Sequence, residues 1–140
     1  MMRRRRRPHL RWLPVLLCAG AASAAPAGDP TRGASIYQRC LACHALSYHR
    51  VGPMHCGLLG RRAGRAPGYE YSAAMRDAGF VWSQQTLDGF LAAPTQYLPG
   101  TSMGYAGIRD ARERRDLIAF IATASRDATR CPPAQGSEAQ

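Results

Sequence analysis

Five consecutive residues, Cys40-Leu41-Ala42-Cys43-His44, have the composition and spacing of a covalent haem attachment sequence. Two thiols three positions apart fall on one side of a helical turn. From there they can add to two vinyl groups on one edge of a porphyrin. The adjacent histidine then falls under the iron and can supply a ring nitrogen as axial ligand. Other uses of a CxxC pair need companions. A thioredoxin-like redox pair sits in a βαβ context, and no strand-like alternation is found here. A structural zinc site wants a second CxxC or an HxxxH pair, and the sequence has neither.

The ligand on the other face of the iron is less determined. Neutral histidine and methionine thioether are the usual choices. His49 and His55 follow the motif closely, and Met54, Met75 and Met103 lie further along. Spacing alone leaves all five open. Met103 is attractive because Pro99-Gly100-Thr101 can present it from a stiff loop, although a loop methionine can equally pack on a core.

Several helices must position these residues. Asp29-Pro30 reads as a helix start, with Asp29 as N-cap and Pro30 in the first helical position. Ile36, Tyr37, Cys40 and Leu41 recur at helical spacing to about residue 43. Residues 45–68 are rich in Gly, Pro and Arg, lack a period, and are predicted to be loop. Ser72 opens a short helical turn that Gly79 ends. Ser83 caps another helix, with Leu87, Phe90 and Leu91 on one face, and Pro94 stops it. Residues 95–109 are again predicted to be loop. Asp110 and Glu113 have the spacing of a capping box, and Leu117, Phe120, Ile121 and Ala124 follow on one face.

The 140 residues suffice for one domain. The formal charge of +10 would suit a nucleic-acid binder if it were spread over a folded face. It is not: Arg3 to Arg7 and Arg11 precede an apolar run from Trp12 to Ala22, and Ala22-Ser23-Ala24 offers small residues for cleavage. That is the form of a secretory signal, too short to span a bilayer comfortably. Loss of residues 1–24 leaves 13 arginines against nine acids, a formal charge of +4. Nucleic acid is thereby excluded as a partner. A twin-arginine signal, a lipid-bearing Cys18 and an uncleaved anchor are weaker readings of the same segment. The division expected is a cleaved signal at 1–24, one domain at 25–131 and a disordered tail at 132–140.

Residues 29–126 resemble the class I cytochromes c, of the mitochondrial and related bacterial type. The motifs that carry the resemblance run in order. Cys40-Leu41-Ala42-Cys43-His44 is followed by Gly52-Pro53 and by Gly57-Leu58-Leu59-Gly60-Arg61. Then come Pro67-Gly68-Tyr69-Glu70-Tyr71-Ser72, Trp82, Tyr97-Leu98-Pro99-Gly100-Thr101-Ser102-Met103, and Arg115-Asp116-Leu117-Ile118-Ala119-Phe120. The resemblance implies an all-α fold of three to five helices wrapped around one covalent haem c. It implies iron ligation by His44 and Met103, with the Pro53 carbonyl accepting the His44 ring N–H. It makes Arg61, Tyr71, Ser72 and Trp82 propionate contacts and puts Thr101 near the propionates, holding the methionine loop. Gly33 and Tyr37 would interlock with Leu117 and Phe120.

The implied function is single-electron transfer rather than enzymatic turnover. The chain would be a periplasmic monomer shuttling between a dehydrogenase or quinol-oxidising complex and a terminal oxidase or photosynthetic centre. It would meet membranes only through such partners. An alternative is a dedicated electron-accepting subunit of one dehydrogenase complex. Departures from the family bear on this choice. Phe90 and Met75 stand where the family often has tyrosine and asparagine. His55 and Cys56 stand where an apolar residue and a surface histidine are expected. Thr95, Gln96 and Ser102 replace common lysines of the docking face, where Arg39 and Arg109 remain. With Cys18 lost and Cys40 and Cys43 consumed, Cys56 and Cys131 are left in an oxidising compartment. The family fold would put the Gly52–Gly57 loop near the end of the last helix, so a Cys56–Cys131 disulfide is expected.

Overall fold

The structure, a computed structural model, describes residues 27–132. The expected export signal, Cys18 with it, and all but the first residue of the expected tail lie outside the described residues. The described chain is all-α: α1 Pro30–Tyr37, a 3-10 turn Gln38–Cys40, α2 Ala73–Asp77, α3 Gln84–Ala92, α4 Pro94–Tyr97 and α5 Ala111–Ala124. None of these helices is long and apolar enough to cross a membrane.

Local sequence explains each start. The Asp29 carboxylate accepts the N–H groups of Thr31 and Arg32, with Pro30 supplying a preset φ at the first position. Ser72 caps α2 by accepting the Met75 N–H. Ser83 and Thr86 form a reciprocal capping box on α3. Asp110 accepts the N–H groups of Arg112 and Glu113. Glu113, expected to complete that box, instead pairs with Arg39 at 2.8 and 3.0 Å. Pro94 stops α3 as predicted, but it also opens α4 inside a stretch predicted to be loop. The pyrrolidine that ends one helix is well placed at the first position of the next.

The fold is organised by α1 crossing α5. A Cβ on Gly33 would lie 2.0 Å from the Asp116 carbonyl oxygen and 2.7 Å from Phe120 Cβ, so only glycine permits this approach. Asp116 is buried at the crossing, where it accepts the Asp29 N–H at 2.7 Å and Arg32 Nε at 2.8 Å. The Arg32 guanidinium holds this carboxyl below the usual range. Tyr37 packs on Phe120 with ring centroids 5.0 Å apart. The interlock expected of Gly33 and Tyr37 with Phe120 is therefore present, and Leu117 is fully buried in the same core. Arg114 ties α5 to α3 through Asp88 at 2.7 Å.

Residues 45–68 are irregular, as predicted, apart from one isolated bridge from Arg62 to Val81. Gly57 N–H reaches back to the Ser125 carbonyl at 3.0 Å, which joins this loop to the end of α5. Cys56 and Cys131 are brought together there, their sulfurs at bonding distance and their Cα atoms 5.4 Å apart.

Candidate functional site

The attachment motif leaves the 3-10 turn as one further turn of helix. Cys43 N–H and His44 N–H both return to the Cys40 carbonyl, at 3.0 and 2.8 Å. This turn aims Cys40, Cys43 and His44 at one cavity of about 480 Å³. For scale, a cavity of roughly 150 Å³ accepts a benzene ring. The walls are mainly apolar. Leu58, Leu87, Phe90, Leu91, Ile108 and Leu117 are buried around it, and Met75 and Trp82 close two of its sides.

His44 is fixed by a hydrogen bond and by close packing. A carbonyl can only accept, so the 2.8 Å contact to Pro53 assigns the ring proton to Nδ1. Burial pushes the His44 pKa down, opposed by that hydrogen bond, and the ring is kept neutral with Nε2 free of its proton. Gly52 runs so close that a Cβ there would fall 2.2 Å from His44 Cε1. Burial likewise raises the Cys40 thiol pKa, whereas Cys43 is exposed at the rim.

The candidate axial ligands divide between those on the cavity and those off it. His49 accepts the Met54 N–H on Nδ1 at 3.1 Å, so its Nε2–H donates to the Pro67 carbonyl at 2.8 Å. Both nitrogens are engaged, and neither His49 nor Met54 lines the cavity. Met75, Met103 and His55 do. His55 stacks on His44 with centroids 4.4 Å apart and planes 25° apart, so it belongs to the proximal side. Burial, with the nearby His44 and Arg61, pushes its pKa down to about 3. Met75 is buried in α2. Met103 is half-buried on its loop, its N–H 3.3 Å from Thr101 Oγ1.

Among the expected cofactor contacts, Cys40, Cys43, His44, Pro53, Tyr71, Trp82, Thr101 and Met103 line the cavity. Tyr71 Oη accepts the Ala66 N–H at 3.3 Å, which leaves its own proton available. Arg61 and Ser72 stand outside the wall. Ser72 Oγ is used as the cap of α2. Arg61 donates to the carbonyls of Cys56 and Met54 at 2.8 and 3.1 Å, yet its Nε is buried without a partner. An orphaned guanidinium N–H behind a largely apolar cavity fits a group whose edge carries acids. The cavity therefore fits the haem that the attachment motif implies. His55, in sequence a candidate ligand and a departure from the family, stacks instead on His44. Its place two residues after Pro53, the carbonyl that holds His44, is the signal that pointed there.

No protein-family profile matches the chain. Individual relatives do. Cytochrome c2 of Rhodomicrobium vannielii is 40% identical over 106 residues, covering 74% of this chain and 85% of that protein. Cytochrome c 2.1 of Caenorhabditis elegans is 44% identical over 99 residues, 69% of this chain and 89% of that protein. Among solved structures, cytochrome cH from Methylobacterium extorquens superposes with a TM-score of 0.67 at 38% identity. It covers 69% of this chain and 99% of its own. At these identities and coverages the chain belongs to the class I c-type cytochromes.

Proposed function

We propose that this chain is an exported, periplasmic carrier of single electrons that holds one haem c covalently through Cys40 and Cys43. His44 and Met103 are its iron ligands. The carrying observation is the His44 Nδ1–H bond to the Pro53 carbonyl, which presents a neutral ring nitrogen to the cavity that Met103 also lines. Bound haem supplies an iron centre that changes by one electron between ferric and ferrous states.

The protein's own residues supply the rest. Phe90, Leu91 and Met75 keep water from the distal side. Tyr71, Trp82 and Thr101 face the cavity where the propionates need partners, and Arg61 Nε adds an unspent cationic donor. Ser72 contributes through the placement of α2. A ligand set fixed in both oxidation states keeps reorganisation small. The Cys56–Cys131 pair forms a disulfide that pins the segment after α5 over the loop carrying Pro53.

The protein works as a monomer with redox protein partners, a dehydrogenase or quinol-oxidising complex on one side and an oxidase-like acceptor on the other. A second reading, a dedicated subunit of one dehydrogenase complex, draws support from the rim. Arg39 lies at the cavity mouth, but its charge is matched by Glu113. A rim with little free positive charge suits a lasting partner better than a transient one. Purification with bound partners separates the two readings.

The central test is mass and spectrum together. Intact mass should show a mature chain beginning near Ala25 with one haem that acid–acetone does not extract. Met103→Ala should remove the weak ferric band at the red end of the visible spectrum and admit carbon monoxide. If that band survives in Met103→Ala and vanishes in Met75→Ala, the ligand assignment is wrong.

A further inference from the structure

We propose that His55 is a positioning residue for the axial histidine: stacked on the His44 ring and anchored by the Tyr37 hydroxyl, it sets the plane of that ring about its bond to iron. The inference rests on the reading of His44 as a haem ligand.

The Pro53 carbonyl fixes the tautomer of His44 but leaves rotation of the ring only loosely restrained. A single hydrogen bond on one nitrogen tolerates tens of degrees of swing at the other. A flat neighbour does not. His55 lies 4.4 Å away and 25° from parallel, so a large rotation of His44 drives its edge into the His55 face. The His55 ring is itself held. Tyr37 Oη is 2.9 Å from its Nδ1, and Tyr37 is buried where α1 crosses α5, packed on Phe120. The His55 backbone N–H also reaches the carbonyls of Leu46 and Ala45, at 3.0 and 3.2 Å, immediately after His44. The His55 ring is therefore tied both to the backbone that follows His44 and, through Tyr37, to the α1–α5 crossing. An aliphatic residue could fill the space of His55 but could not be tethered to Tyr37. The polar anchor is what distinguishes positioning from packing.

The readout is the ferric haem-methyl NMR pattern, because the plane of an axial imidazole governs how unpaired spin spreads over the four methyls. Holoprotein variants Tyr37→Phe, His55→Leu and the double variant are compared with wild type. Each should retain attached haem. Each single variant should change the order and spread of the shifted methyl resonances, and the double variant should match His55→Leu, since Tyr37 acts only through His55. A purely structural role would lower the thermal midpoint and leave the methyl order alone. An unchanged pattern in both single variants overturns the inference, as does a Tyr37→Phe shift that persists in full on the His55→Leu background. If His55→Leu does not fold, Tyr37→Phe decides by itself, because it keeps the ring stack and removes only the anchor. Attached haem with an unchanged pattern defeats this inference alone, whereas wild-type protein without haem defeats the ligand reading and this inference together.

Discussion

The two walls of the cavity are built on different principles. The proximal wall, residues 44–61, has almost no regular secondary structure and is fixed by polar bonds. His44 holds Pro53, His55 meets Tyr37, His49 joins Met54 to Pro67, and Arg61 gathers the carbonyls of Cys56 and Met54. The distal wall takes Leu87, Phe90 and Leu91 from α3, with Met75, Ile108 and a methionine loop in which the Thr101 N–H meets the Leu98 carbonyl at 3.0 Å and the Met103 N–H meets Thr101 Oγ1 at 3.3 Å. A loop has no internal ladder, so every backbone group it buries must be satisfied individually. A helix satisfies its own backbone and leaves its side chains free to exclude water. If His44 and Met103 are the iron ligands, as proposed, the contrast sets a tightly held ligand opposite a more loosely held one.

The sharpest way to break the comparison is to add one methyl group to each side. Gly52→Ala puts a Cβ 2.2 Å from a ring that Pro53 and His55 already restrain. Overpacking of this kind costs about 1–3 kcal/mol even where neighbours can relax, and here they are pinned. We expect little holoprotein, with low haem content by pyridine haemochrome assay. Gly104→Ala, beside Met103, meets nothing within 4 Å. It should accumulate as wild type and unfold within about 0.5 kcal/mol of it. Equal damage at the two sites would show that the proximal wall is no stiffer than the distal one.

Opening the Cys56–Cys131 bridge loosens the proximal wall less directly. The bridge spans 75 residues of sequence. The chain-entropy treatment gives at most roughly 4 kcal/mol for such a closure. Reduction should lower the urea midpoint while haem remains attached, because thioethers resist thiol reductants. Alkylation of both Cys56 and Cys131 in the unreduced, unfolded holoprotein would show that no bridge exists. With the opened thiols alkylated and the haem reoxidised, the red-end ferric band should match that of the bridged protein, since the distal loop makes no use of the bridge.

Much of this arrangement is legible in the sequence, and the misses have a common cause. The CxxCH turn, the caps at Asp29, Ser72, Ser83 and Asp110, and the apolar face of α5 are local signals, and the structure places each where it was expected. The failures are choices between partners. Glu113 could close its own cap or meet Arg39, and the choice depends on a residue 74 positions away. Ser72 is not among these failures: its Oγ caps α2 as an acceptor, and its own proton stays free to donate. Pro94 was legible as a stop but not as a start, because only the buried seat of that residue shows that the chain turns into α4. His55 is the clearest case. Nothing in its sequence neighbourhood says that Tyr37, 18 residues earlier, will meet its Nδ1.

The smallest expected effect tests the apolar character of the distal wall itself. Phe90 and Met75 are both buried on the cavity, and Phe90 packs edge-on to Trp82 with centroids 5.2 Å apart. Ferric haem carries one more positive charge than ferrous haem. Oriented hydroxyl or amide dipoles near the iron favour the more charged state, and their absence favours the reduced one. Phe90→Tyr combined with Met75→Asn should therefore lower the reduction potential. A buried dipole pair acting across a few ångströms is worth about 1 kcal/mol or less after the site relaxes. For one electron, 59 mV corresponds to about 1.4 kcal/mol, so the shift should be a few tens of millivolts. Spectroelectrochemical titration resolves such a shift, and the red-end ferric band confirms that ligation is unchanged. A potential that stays constant or rises would show that distal polarity is not what sets the potential. Control would then pass to the proximal wall, where the His44–Pro53 bond is the next group to alter.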